Sequence, residues 1–386
     1  MMKKLLLLFL LIGLSVLIKA QKSKKFLRVD KTMHLIPDSS TYSTQGIAGY
    51  INTEFFNQKD KARAIFIWIA ENINYDYENM YADLNMTSDE ILKSRKGICR
   101  DFTQLFSEIA FSVGIKTHTI TGYTRKKKLV DYNMHSWCGL YIDSVWYLID
   151  PTWGAGSIID DHYTRKINND YFMVRPDRFI KSHIPFDPLW QFSNYPITKK
   201  EFQKGISKSN NDEAFFNFMD TLSVYEKQTE IERLISICSR TKSNGISSYL
   251  DYDKIRHLNS EIKDSYNNRN IKQYNLALKN FNEGIILSNE YIDYQNKYYI
   301  PYKSDEDIIK MLDEIEQLFN LSLSQLKLIK NISSNLKINI DHLYMSIDIS
   351  LNDLNDTKMK LEKYLKIAKD YRKSLSLSKE LKSTNK

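Results

Sequence analysis

Apolar residues change their spacing several times along this chain, and each change predicts a different element. Leu5 to Ile18 is an almost unbroken apolar run behind Met1-Met2-Lys3-Lys4. From Asp60 to Asn72, Ala62, Ile65, Phe66, Ile69 and Ala70 recur at helical spacing and predict a helix with one buried face. Thr87-Ser88-Asp89-Glu90 has the capping-box pattern that starts a second helix, ending near Gly97. Phe102, Leu105, Phe106, Ile109, Ala110 and Val113 then form one helical stripe, with Gly114 placed to end it and Cys99 at its start. The period next shortens to two. Residues 115–123 predict a strand, and His135 to Ile142 and Val145 to Ile149 alternate around Asp143-Ser144 as a hairpin. Beyond about residue 206, Gly and Pro almost vanish, and Ile340, Ile347, Leu354, Leu361, Ala368 and Leu375 recur every seven residues, with Leu343, Leu351 and Leu365 between them. That half reads as helical, one helix over about 265–297 being set off by Pro301 and Asp305, and its stripe suits a bundle better than a coiled coil with another chain.

These patterns divide the 386 residues into three parts: a signal peptide over 1–20, an α+β domain over 21–205 and an all-α domain over 206–386. The basic start, short apolar run and Lys19-Ala20 boundary are those of a secretory signal, and the run is short of the roughly 20 residues a spanning helix needs. The expected protein is therefore exported, whether periplasmic, surface-associated or secreted, with no integral span after cleavage. Composition is that of a folded protein, 42% hydrophobic and 26% charged, with 25 Tyr and 18 Phe. The formal charge of +8 falls to +5 without the first 20 residues, and the densest basic cluster, Arg125 to Lys128, suits a solvated loop, so no nucleic-acid partner is expected. Cys99, Cys138 and Cys238 are an odd number, which in an exported protein leaves at least one free thiol.

Cys99 is the natural free thiol. At a helix N-terminus the positive end of the dipole and the outward N–H groups favour a thiolate, although a cysteine there also serves as plain core. The hairpin downstream shifts the balance toward chemistry. In a hairpin with a two-residue loop, 142 pairs with 145, 140 with 147 and 137 with 150, so His135, Trp137 and Asp150 share one face, within reach for a carboxylate to orient an imidazole. Cys138 and Leu140 point the other way, into packing. Cysteine, histidine and aspartate in this order are a nucleophile, its base and the group that orients the base.

Gly97-Ile98-Cys99-Arg100-Asp101-Phe102, Gly122-Tyr123, His135-Ser136-Trp137 and Trp146 to Gly154 resemble the core of the transglutaminase-like superfamily, among the papain-like cysteine hydrolases and transferases. Lys61 to Ile69 and Ile73 to Asp76 also fit, as do Asp170-Tyr171-Phe172, Pro176, Phe179-Ile180, His183 and Pro196 to Phe202, which are similar to the kyphoscoliosis peptidase and cytokinesis-protein branch. The resemblance covers roughly residues 45 to 205. It implies a papain-like α+β fold of helices on an antiparallel sheet, with Cys99 as nucleophile, His135 as general base and acid, and Asp150 as orienter. Cys138 departs from the small or polar residue the family often carries there. Tyr75 and Asn72 are oxyanion candidates, and Trp137 and Trp153 are candidate walls of the cleft. The expected activity is cleavage or transfer of peptide or protein amide bonds through a thioester, with hydrolysis favoured and no cofactor; the alternative is a non-catalytic scaffold, since the branch includes members that have lost catalytic residues. No spacing completes a metal shell, Asp160-Asp161-His162 reading as a polar loop. The helical half is expected to place the enzyme or bind a protein partner.

Overall fold

The computed structural model describes residues 26–80, 85–126, 129–160, 162–208, 215–332, 334–367, 371, 372 and 374. The expected signal peptide, the basic pair Lys127-Lys128 and the stripe positions Ala368 and Leu375 lie outside them. Among the described residues, no helix is long and apolar enough to cross a membrane.

The first half is α+β. Helices α1 (Leu27–Met33), α2 (Thr44–Glu54), α3 (Gln58–Asn72) and α4 (Ser88–Ser94) precede α5 (Cys99–Ser112). Helix α3 begins where Asn57 accepts from the Asp60 N–H, and from Ala62 to Ala70 it is buried on every side, so it runs through the core and does more than present one face. Thr87 and Glu90 cap α4 reciprocally, as their spacing predicts, and Arg95 ends it in the left-handed region. Two short strands, β1 (Asn74–Tyr75) and β2 (Lys96–Gly97), pair in parallel and deliver the chain to α5.

The sheet comes next: β3 (Lys116–Lys126), β4 (Leu129–Ile142) and β5 (Val145–Ile149), then α6 (Pro151–Ala155), a hairpin of β6 (Gly156–Ile159) and β7 (His162–Arg165), α7 (Pro176–Phe179) and β8 (His183–Pro185). Its antiparallel order is β5-β4-β3-β8. Asp143 and Ser144 both hold positive φ, 50° and 61°, the backbone of a two-residue type I′ turn. The predicted register results, Ile142 facing Val145 and Leu140 facing Tyr147. One sheet face sends Cys138, Leu140, Ile142 and Ile149 into a core with α2, α3 and α5; the other sends Trp137, Trp146 and Leu148 against Phe179, Leu189 and Trp190.

Gly122 permits the crossing of β3 and β8. A methyl group on it would overlap the Ile184 carbonyl and come within 2.8 Å of the Trp137 ring. We expect Gly122→Ala to lower stability by about 2 kcal/mol, as overpacking a rigid core does, read as a lower urea midpoint at unchanged slope.

The chain divides into two compact units, residues 1–257 and 258–386, so the division falls later than 205/206. The reason is that residues 218–251 are pinned to the α+β half. Helix α8 (Lys199–Gln203) is followed by α9 (Phe218–Lys227), whose Glu226 contacts His118 at 3.3 Å, and by α10 (Glu230–Ser243), whose Arg240 grips Asp187 with two bonds of 2.8 and 2.7 Å. Asp251, at the start of α11 (Tyr249–Asn296), accepts from Tyr123 Oη at 3.0 Å and pairs with buried Lys199 at 2.8 Å.

The second unit is helical: most of α11, then α12 (Asp305–Lys327) and α13 (Ser334–Leu365). Ile340, Ile347, Leu354 and Leu361 of the sevenfold stripe are buried together with Ile308, Leu312, Ile315 and Phe319 of α12. The stripe thus packs inside this chain, as a bundle requires.

Candidate active site

Cys99 occupies the first position of α5, where its N–H has no partner within the helix. Asp101 folds back to accept the Ile98 N–H at 2.8 Å, and it lies so close to Gly97 that a β-carbon there would sit 2.7 Å from its own. Gly97 therefore lets the turn before Cys99 close. Behind the thiol, Thr103 Oγ1 donates to the Cys99 carbonyl at 2.7 Å and fixes the first turn.

The sheet supplies the other two groups. His135 lies on β4, and Asp150 caps α6 immediately after β5. His135 Nε2 meets Asp150 Oδ2 at 2.8 Å, while the Thr152 and Trp153 N–H groups each donate to Asp150 Oδ1 at 2.9 Å. The diagonal geometry expected from hairpin parity is thus present. His135 and the Ser136 N–H both favour charge on the Cys99 sulfur, which also lies 4.0 Å from the Met134 carbonyl. Burial pushes the Cys99 thiol up, but His135 first and the Ser136 N–H after it outweigh burial and leave the group below its ordinary value. Burial likewise opposes charge on His135, yet Asp150 and Cys99 together raise it well above the usual imidazole range. The thiol is thus shifted down and the imidazole up, above a fully buried carboxylate.

A third group joins them from a part of the chain that hairpin parity does not reach. His183, on β8, places Nε2 3.1 Å from Asp150 Oδ2 and Nδ1 2.8 Å from Ser182 Oγ. Its side chain is fully buried among Phe179, Trp137, Trp153 and Tyr171. Burial dominates and pushes it down to about 4, so it is neutral at pH 7. His135, Asp150 and His183 also converge as a metal-binding group would, but both contacts to Asp150 are of hydrogen-bond length and account for the arrangement.

The remaining candidates separate. Trp153 is half-buried with its ring 5.4 Å from that of His135, and Lys126 Nζ lies 5.0 Å over its face. Trp137 shares the His135 face but is only 1% exposed, because α7 and residues 188–191 cover that part of the sheet; it is core and not a cleft wall. Tyr75 pairs with Gly97, two residues before the thiol, and its ring packs toward Phe102 and Tyr163. Asn72 spends its amide on the Trp68 carbonyl at 2.8 Å and lines a separate polar cavity of about 510 Å³ with Arg95, Arg165 and Glu71, so it is not an oxyanion donor. The Ser136 N–H, next to His135 on β4, adds to what favours charge on the sulfur. Cys138 is buried against Thr103 and Ser107, and burial raises its thiol to about 12, as a packing role requires. All three cysteines are free.

Residues 45–151 match the family model for the transglutaminase-like superfamily. The chain is similar to mouse (Mus musculus) kyphoscoliosis peptidase, at 27% identity over 163 residues, 40% of this chain and 25% of that protein. It is also similar to cytokinesis protein 3 of Schizosaccharomyces pombe, at 25% identity over 136 residues, 34% of this chain and 15% of that one. The chain thus spans a quarter or less of these curated relatives. A crystal structure of a TGase aligns with a TM-score of 0.24 at 19% identity, over 37% of this chain and 35% of its own. Motif order and family match agree, and this chain carries a domain of the transglutaminase-like superfamily.

Proposed function

We propose that this protein is an exported thiol enzyme that opens amide bonds of peptides or proteins through a thioester on Cys99. The observation that carries the reading is the continuous line from Cys99 through His135 to buried Asp150, with the thiol held below its ordinary value. The Cys99 thiolate attacks the amide carbonyl carbon, and the tetrahedral intermediate collapses as the C–N bond breaks. Imidazolium His135 gives its proton to the departing amine. Water then attacks the thioester, losing a proton to His135, and the thiolate leaves to restore the resting pair. An amine in place of water would give transfer; hydrolysis is favoured because water is always at hand. The N–H groups at the start of α5 are suited to receive the developing oxyanion.

Alkylation of Cys99 by iodoacetamide across pH tests the reading. We expect rapid reaction well below pH 8.5, the ordinary thiol value being about 8.5, with His135→Ala moving the reaction up to that value. Wild-type protein that reacts only as an ordinary thiol, no faster than His135→Ala, would overturn the enzyme and leave the domain a scaffold. A peptide library assayed with and without added amines then separates hydrolysis from transfer.

A further inference from the structure

We infer that His183 is a positioning residue of this site: as a neutral Nε2–H donor to Asp150 Oδ2, it fixes the carboxylate and limits how strongly that carboxylate holds the proton on His135. The inference rests on the thiol-enzyme reading above.

Asp150 receives four donors. The Thr152 and Trp153 N–H groups take Oδ1, and His135 and His183 meet on Oδ2 at 2.8 and 3.1 Å. Two imidazoles on one oxygen cannot both be cations without repelling each other across it. Their surroundings divide the roles. His135 faces the Cys99 sulfur and takes the charge. His183 is sealed in an aromatic box, its ring stacked on Phe179 at 4.1 Å with Trp153 at 4.8 Å and Trp137 at 5.1 Å, and a cation gains no water there. Asp150 Oδ2 can only accept, which puts the hydrogen on Nε2 and leaves Nδ1 as an acceptor facing Ser182 Oγ at 2.8 Å, a hydroxyl that also lies 3.3 Å from the Phe179 carbonyl. The other titratable groups facing this pocket are few. Tyr171 packs 6.0 Å from the His183 ring, and Lys126 lies beyond Trp153; neither reaches His183 with a hydrogen bond.

The Asp150 carboxylate therefore cannot rotate away from His135, because each oxygen is held from a second direction. The positive end of the His183 N–H dipole also draws on the electron pair that would otherwise serve His135 alone, so imidazolium is less tightly held and gives its proton to the leaving amine more readily.

The test is alkylation of Cys99 with iodoacetate, an anionic reagent that reads the thiolate–imidazolium pair as a bell-shaped pH profile. His183→Phe keeps the ring and removes the donor. It is expected to raise the basic limb by about half a unit and to lower the plateau rate about tenfold. His183→Gln, whose amide N–H₂ can reach the position of Nε2, is expected to restore both, and it keeps the proposal decidable should the phenylalanine variant fail to fold. In an Asp150→Asn background the two His183 variants should give the same profile, since His183 acts only through Asp150. An unshifted basic limb in His183→Phe, a glutamine variant that folds but rescues nothing, or an equal shift in the Asp150→Asn background would each overturn the inference. A wild-type profile without a bell would instead overturn the thiol-enzyme reading itself, so the two failures are distinguishable.

Discussion

Cys99→Ala is expected to abolish turnover, by about 10⁴-fold or more, while leaving the fold intact. The magnitude reflects the loss of the only group that forms the covalent bond; what binding and oxyanion donors contribute without it is small in comparison. The structural half of the expectation rests on what the thiol touches. Cys99 is only partly buried, and its backbone holds the start of α5 through the Thr103 bond to its carbonyl, which alanine preserves. The Ile98–Asp101 bond and the His135–Asp150 bond do not involve the sulfur. Stability should therefore move by less than about 1 kcal/mol, within the range of a substitution that opens no buried cavity. Peptide turnover and the thermal midpoint measured on the same preparation check both halves. Retained turnover in a correctly folded alanine variant would remove Cys99 from the chemistry, and lost turnover with a collapsed midpoint would make it structural.

Local chemistry made much of this domain legible in the sequence. Thr87 and Glu90 announce a capping box, and the box is there. Asp143-Ser144 implies a two-residue loop, and that parity alone aligns His135 with Asp150, because side chains alternate with period two. What stayed hidden depends on elements brought together from far apart. His183 reaches Asp150 because a three-residue strand pairs with β3 from some sixty residues away, and His-Ile-Pro carries no alternation to reveal it. The same limit applies to Trp137. Parity gives its face, but whether that face lines a cleft or a core is decided by α7 and residues 188–191 folding over it. The division near residue 257 escaped composition for a related reason. Helices α9 and α10 look like the helical half in sequence, yet Arg240, Glu226 and Asp251 tie them and the start of α11 to the α+β half through partners at Asp187, His118 and Lys199.

Asp150→Asn should lower turnover by about 10³ to 10⁴-fold and, unlike Cys99→Ala, should also destabilise the fold, by about 3 kcal/mol at pH 7. The asparagine still accepts through one oxygen, but its amide now presents hydrogens toward His135 and His183, two groups arranged to donate. His135 loses the charge that raises it and changes protonation, so it neither keeps Cys99 as a thiolate nor delivers a proton. The pH dependence carries the sign. Burial alone would raise the Asp150 carboxyl, but His135 first and His183 second overcome it and hold the group well below the ordinary carboxylate range. A group depressed in the folded state stabilises fully above its unfolded value near about 4, and that stability is lost as pH falls below it. His183, pushed down to about 4, resists protonation in the folded state, so it adds a loss that begins as pH falls through about 6.5. His135 has the opposite sign: raised in the folded state, it stabilises fully below about pH 6.5, and that part fades only as pH rises toward its elevated folded value. Urea unfolding of wild type and Asp150→Asn from pH 7 to about pH 4.5 should therefore show a gap that widens as pH falls, because the unfolded variant takes up a proton on His135 that its folded state resists, while wild type holds that proton in both states. A gap that stays constant over that range would mean that Asp150 stabilises the fold by shape and hydrogen bonding without its charge, and the imidazolium would then need another source for its proton affinity.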